Sequence, residues 1–228
     1  MTYRLYYSPG ACSMAPHILL EEIGLPYELE LVSSRGDREG AMTATDSWRT
    51  MNPKGRIPAL QPVAGNSGGA PDLLTEVPAI LLFLGQSHPE AGLVPRDPAR
   101  LARCIEWTNW LSGNVHAMSY GQIWRAQRFS DDEQALDGIR AKGRSALCEQ
   151  YEFIERVLAD GRDWAVGAAY SIVDPYLLVF FQWGQRVGLD MGSYPSWCAL
   201  TDRLLKRPAV ERALSNEGVE ITSAARQR

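Results

Sequence analysis

Tyr3-Arg4-Leu5-Tyr6-Tyr7-Ser8-Pro9-Gly10-Ala11-Cys12-Ser13 is the stretch that decides the fold of this chain. Residues 3–7 alternate as a half-buried strand does. Ser8-Pro9-Gly10 breaks the strand, and Ala15-Pro16-His17-Ile18-Leu19-Leu20 opens a helical run. Cys12 is therefore expected where a strand ends and a helix begins. A helix N-terminus offers unpaired N–H groups and a partial positive charge. Both favour a thiolate, so the placement predicts a lowered thiol pKa and a reactive cysteine. The plainer reading of Cys12 is a small buried hydrophobe.

Outward from that stretch, the helix should run to about Ile23, closed by Gly24 with Pro26 just beyond. Tyr27-Glu28-Leu29-Glu30-Leu31 alternates again and predicts a second strand, parallel to the first through a right-handed crossover. A polar stretch holding Arg35, Arg38, Trp48 and Arg49 leads to the turn Asn52-Pro53-Lys54-Gly55. Residues 56–61 read as a third strand interrupted by Pro58. Val63 to Pro71 reads as a Gly-rich loop, or alternatively Asn66-Ser67-Gly68-Gly69 as a hairpin tip, with residues 72–75 as the returning strand. A helix follows over 76–86, then a proline-rich linker.

Beyond the linker only helical patterning remains. Asp97-Pro98 forms an N-cap followed by proline at the first helical position. Leu101, Cys104, Ile105, Thr108, Leu111, Val115 and Met118 fall on one predicted face. A second long helix runs from Ala135 to Leu158, ending near Gly161. Ser171-Ile172-Val173-Asp174 has the shape of a capping box and opens an apolar helix over 172–187. Shorter helices are expected near 195–206 and 208–214.

The chain has 228 residues, of which 45% are hydrophobic, enough for a sizeable core. A net charge of −4 argues against nucleic acid and against an acidic membrane surface. The four cysteines, Cys12, Cys104, Cys148 and Cys198, are far apart in sequence. They suggest neither a zinc site nor a dense disulfide framework, which fits a reducing compartment. With no signal peptide pattern and no apolar run of membrane-spanning length, a cytoplasmic protein is expected.

Tyr6-Tyr7-Ser8-Pro9-Gly10-Ala11-Cys12-Ser13 and Asn52-Pro53-Lys54-Gly55-Arg56-Ile57-Pro58-Ala59-Leu60 together resemble the glutathione transferases, most of all the bacterial beta class. The resemblance continues through Leu74-Thr75-Glu76, through residues 105–111, through Val115-His116 and through the capping box at 171–174. It implies a thioredoxin-like N-terminal domain (βαβ-α-ββα) over residues 1–86, a linker at 87–96 and an all-helical C-terminal domain over 97–228. It also implies glutathione as co-substrate, no metal, and a homodimer.

The resemblance assigns Cys12 to contact with the glutathione sulfur and His116 to a position near it. Pro58 matches a cis-proline that exposes the backbone of Ile57 to the glutathione peptide. Glu76 matches an acidic residue that holds the γ-glutamyl ammonium. Val77 stands where the family carries a small hydroxyl residue or glycine, leaving its backbone N–H for the γ-glutamyl carboxylate. Asn109 is carried over as a binding residue. Asn114 replaces a family glutamate that reaches the partner subunit. A family lysine has no clear counterpart; Arg35 and Arg38 are the candidates. Tyr7, Tyr120, Trp124 and Trp110 are candidates for lining the second-substrate site.

With a single cysteine in the Cys12-Ser13-Met14-Ala15 window, an intramolecular dithiol is unavailable. Cys12 either forms a mixed disulfide, which a second glutathione resolves, or stabilises a bound glutathione thiolate without bonding to it. The implied activity is conjugation of glutathione to small hydrophobic electrophiles, with thiol transferase or peroxidase activity beside it. The alternatives are a non-catalytic glutathione or ligand-binding protein of the same fold, or a glutathione-recycling isomerase or dehalogenase.

Overall fold

The structure, a computed structural model, describes residues 2–32, 45–63 and 72–223. Arg35, Arg38 and the hairpin tip expected at 66–69 lie outside the described residues.

Strand β1 (Tyr3–Tyr7) is central and leads into helix α1 (Met14–Ile23), which ends at Gly24. Gly24 is left-handed, with φ 75°, and its N–H returns to the Leu20 carbonyl. Only glycine takes that conformation without steric cost, so the stop is local. Strand β2 (Tyr27–Leu31) then lies parallel to β1, with Tyr3 opposite Tyr27.

Thr45 accepts a hydrogen bond from the Trp48 N–H and starts helix α2 (Asp46–Met51). Strand β3 (Ala59–Pro62) pairs antiparallel with β1, Leu5 opposite Leu60. It starts three residues later than expected: Pro58 has no N–H to give a ladder. Strand β4 is only Leu74–Thr75, and the sheet order is β2-β1-β3-β4. The sheet's faces alternate with the strand period. Tyr3 and Leu5 join the main core, whereas Tyr6 packs with Trp48, Val32 and Ala59 on the other side.

Helix α3 (Val77–Ser87) completes this unit. Helix α4 (Pro98–Trp110) begins where expected, its Asp97 cap accepting from the Arg100 N–H. Residues Leu111–Tyr120 continue it as a π-helix, and α5 (Gly121–Trp124) ends it. The Gly121 N–H reaches the His116 carbonyl, five residues back. Wider turns displace the face predicted from a uniform helix: Leu111 and Val115 are buried, but Met118 is exposed. Ile105, expected on the same face, is also exposed.

Helix α6 (Leu136–Leu158) presents Leu147, Tyr151, Ile154 and Leu158 to the core. Helix α7 (Val173–Arg186) is buried along most of its length. The Ser171–Asp174 capping box forms: Asp174 Oδ2 accepts from the Ser171 N–H at 2.7 Å, and Asp174 Oδ1 from the Ala165 N–H at 2.8 Å. Burial pushes the Asp174 carboxyl up to about 6, against the pull of those donors. Helices α8 (Pro195–Leu204) and α9 (Pro208–Glu217) close the chain, with α7 and α9 packed on α1. No helix among the described residues is long and apolar enough to cross a membrane.

Candidate functional site

The turn between β1 and α1 is fixed from both sides by the helical part of the chain. Gly10 sits at φ 64°, donates its N–H to Glu217 Oε2 on α9 at 2.8 Å, and accepts at its carbonyl from Trp183 Nε1 on α7, also at 2.8 Å. Glu217 Oε1 lies 2.8 Å from His17 Nδ1, with both side chains wholly buried. These contacts hold Cys12, two residues on, at the lip of a cleft of about 330 Å³.

Cys12 precedes the helix rather than opening it, and it is 6% exposed. Its thiol lies 3.8 Å from the Ile57 carbonyl. Burial pushes the thiol up to about 12, outweighing the backbone N–H groups of Cys12 and Ser13, which act to lower it. The lowered pKa expected from the sequence is therefore corrected. Helix-end stabilisation is real but small beside the cost of desolvating a thiolate.

Ile57 and Pro58 line the same cleft and are joined by a cis peptide bond, as expected. Buried Asn52 shapes the approach to them: Nδ2 donates to the Arg56 carbonyl at 2.6 Å, and Oδ1 accepts from the Lys54 N–H. That turn delivers Lys54 and Arg56 to the cleft. Glu76 stands just before α3 with φ 71°, a left-handed backbone uncommon for a side chain this long. Its carboxylate accepts from Lys54 Nζ at 2.8 Å. Val77 is the first residue of α3, so its N–H is one of the helix's unpaired donors facing the cleft wall.

The π-helical segment supplies the opposite wall. Ser112, His116 and Tyr120, four residues apart, all line the cleft, with Trp124, Arg125, Arg128 and Phe129 beyond them. The His116 ring packs edge-on to Trp183 at 4.8 Å between centroids. Burial, reinforced by Arg56, Arg125 and Arg128, pushes its imidazole down to about 4. It is a neutral imidazole at pH 7.

The structure thus brings together Cys12, Ile57, Pro58, Glu76, Val77 and His116, with Tyr120 and Trp124. Three other candidates sit elsewhere. Tyr7 packs on His17, ring centroids 6.2 Å apart, because strand alternation turns it toward α1. Trp110 packs with Trp107 and Phe153. Asn109 lines a separate groove of about 450 Å³ between α3 and α4, which shares Glu76 and Ser112 with the Cys12 cleft. Lys54, Arg56, Ser112, Arg125, Arg128 and Phe129 were not anticipated as site residues. The only sequence signal for the last three is Trp124-Arg125-Ala126-Gln127-Arg128-Phe129, two arginines bracketed by aromatics.

Residues 10–87 match the family described as glutathione S-transferase, N-terminal domain, and residues 132–208 match glutathione S-transferase, C-terminal domain. The chain is 31% identical to the glutathione S-transferase GstA of Escherichia coli O157:H7, over 95% of this chain and 100% of that protein. Among solved structures it is similar to a glutathione transferase homologue from Sulfitobacter with bound glutathione, at a TM-score of 0.84 and 27% identity, covering 96% of this chain and 99% of that one. It is also similar to the bacterial beta class glutathione S-transferase of Sphingomonas chungbukensis, at a TM-score of 0.78 and 31% identity, covering 95% and 100%.

Proposed function

The chain belongs to the glutathione S-transferase family, and from that premise we propose that it binds glutathione in the Cys12 cleft and conjugates it to small hydrophobic electrophiles. The observation that carries this reading is the convergence on one cleft of Cys12, Ile57-Pro58, the Glu76–Val77 helix start and His116. In this reading Glu76 takes the γ-glutamyl ammonium and the Val77 N–H its carboxylate. The Ile57 backbone pairs with the glutathione peptide. The glutathione sulfur then lies beside Cys12.

Conjugation needs the glutathione thiol to lose its proton to water. The resulting thiolate forms a bond to the electrophilic carbon as the leaving group departs with its electron pair. The protein's part is to hold that thiolate and orient it. A Cys12 raised to about 12 remains a thiol, so it serves as an S–H donor to the glutathione thiolate. Arg56, on the Ile57 wall of the cleft, stabilises the same negative charge. The raised thiol favours conjugation over mixed-disulfide, thiol transferase or peroxidase chemistry, which needs Cys12 as a thiolate. Further parts of the proposal are beta-class character, a role in detoxification, a cytoplasmic homodimer, and domain limits at residues 1–86 and 97–228. Exposed Ile105 beside the groove between α3 and α4 supports pairing of two copies there.

The deciding experiment is calorimetric titration with glutathione, alongside its conjugation to 1-chloro-2,4-dinitrobenzene, in wild type and Glu76→Gln. Wild-type binding and turnover are expected, with binding weakened about tenfold in Glu76→Gln, as befits loss of one charged hydrogen bond. Binding that ignores the substitution would remove Glu76 from the site. Binding without turnover would favour the ligand-binding alternative.

A further inference from the structure

The helical wall of the cleft sets two guanidiniums beside two exposed aromatic rings. Among the described residues, the cleft is lined by the cationic side chains Lys54, Arg56, Arg125 and Arg128 and by the carboxylate of Glu76. The chain as a whole has the opposite balance, 27 acidic to 23 basic residues. Lys54 and Arg56 come from the turn beside Ile57, on the wall proposed to hold glutathione. Arg125 and Arg128 come from the other wall.

Local geometry explains why those two act together. Helix α5 ends at Arg125, and Ala126–Arg128 form a 3-10 turn in which the Arg128 N–H returns to the Arg125 carbonyl. Arg125 and Arg128, at the two ends of that turn, both line the cleft. Aromatic rings flank them. Trp124 and Phe129 are each 38% exposed, unusual for side chains of this size. Trp124 is anchored on Tyr120 at 4.5 Å between centroids, with the Arg186 guanidinium 5.5 Å from its ring. Phe129 lies over Gly121, where an added Cβ would stand 3.3 Å from the ring. The wall therefore combines flat apolar faces with two guanidiniums, groups that pair with planar anions by paired N–H donors.

We propose that the second substrate is an aromatic electrophile bearing a carboxylate or sulfonate, its ring against Trp124 and Phe129 and its anion on Arg125 and Arg128. This rests on the reading of the cleft as a glutathione-transfer site. The arginines' influence on His116, in the same cleft, is consistent with their charge acting on that space.

The test uses two glutathione conjugates that differ only in charge, S-(4-carboxy-2-nitrophenyl)glutathione and its carboxamide, with free glutathione as a third probe. Each is titrated calorimetrically into wild type, Arg128→Gln and the Arg125→Gln/Arg128→Gln double variant, with thermal melts to verify folding. The acid should bind wild type about tenfold more tightly than the amide, a charged hydrogen bond's worth of discrimination. That preference should shrink in the exposed-site single variant, vanish in the double variant, and weaken with added salt. Equal binding of acid and amide to wild type overturns the proposal, as does a preference that survives in the single and double variants. A double variant that loses free glutathione as severely as it loses the acid conjugate also overturns it, because the arginines would then serve glutathione. Failure of free glutathione to bind wild type instead brings down the underlying reading, and this proposal with it.

Discussion

Trp183 Nε1 donates to the carbonyl of Gly10 across 2.8 Å, joining α7 of the helical part to the turn that carries Cys12. The same indole packs edge-on to His116 at 4.8 Å and to Trp124 at 5.0 Å. One side chain thus sets the spacing between the Cys12 turn and the aromatic wall. Fixing two reacting partners in this way is where a transferase gains much of its rate.

Replacing Trp183 with Phe keeps most of the ring and removes the N–H. Among the described residues, the Gly10 carbonyl then retains only the longer contact from Arg186 Nη1, at 3.4 Å. The expected cost is about 1–2 kcal/mol of stability. Conjugation should lose several-fold in kcat with little change in the KM for glutathione, since the misplaced element is the Cys12 turn rather than the Glu76 end. A urea melt and steady-state kinetics check both; an unchanged kcat would leave the bond with no positioning role.

Glu217 has greater structural leverage. It accepts from the Gly10 N–H and faces His17 across 2.8 Å, with no exposure on either side chain of the pair. Glu217→Ala strands two buried polar groups at once and should cost about 3 kcal/mol or more. Glu217→Gln keeps an acceptor for Gly10 and should cost less. Equal urea midpoints for the two variants would show that the Gly10 contact contributes nothing.

The β1–α1–β2 unit was legible because each of its signals is local: alternation, Pro9-Gly10, and a left-handed Gly24. Helix α2 was less so, since a six-residue helix capped by Thr45 has little periodicity to read. The π-helical turns were invisible, because the choice between four- and five-residue hydrogen bonds is made by packing. Cys12, Ile57, Pro58, Glu76 and His116, which share the cleft, could be named from short motifs. Arg125 and Arg128 could not, because nothing near an arginine in sequence reveals which cleft it lines. Tyr7 was a candidate as an aromatic lining residue, and strand alternation places it against His17. The thiol pKa of Cys12 was misjudged because helix-end charge is readable from sequence and burial is not.

Cys12 should alkylate slowly. Its thiol is raised from 9.0 to about 12, so at pH 7 its thiolate fraction falls about a thousandfold below that of an ordinary cysteine. The rate with iodoacetamide, followed by mass spectrometry against Cys12→Ser, should climb about tenfold per pH unit from pH 7 to pH 10. A rate that levels off near pH 7 would mean a low-pKa thiolate and would restore the disulfide chemistry set aside above.

His116 offers the sharpest check on the electrostatics of the cleft. Its imidazole is lowered from 6.5 to about 4, first by burial and then by Arg56, Arg125 and Arg128. The neutral form is therefore the one present through the range in which the enzyme would work. A depressed folded-state pKa means that the unfolded chain takes up its proton first as pH falls. The associated stability is complete above about pH 6.5 and is lost progressively toward pH 4. Removing positive charge from the wall should reverse part of the shift, so Arg125→Gln should raise the His116 pKa. A proton NMR titration of the imidazole, assigned with His116→Gln, reads this directly. Because burial is the leading cause, the variant should still titrate below 6.5. Should His116 titrate near 6.5 in wild type, its ring would be solvated, and the packing on Trp183 and the influence of the three arginines would both have to be abandoned.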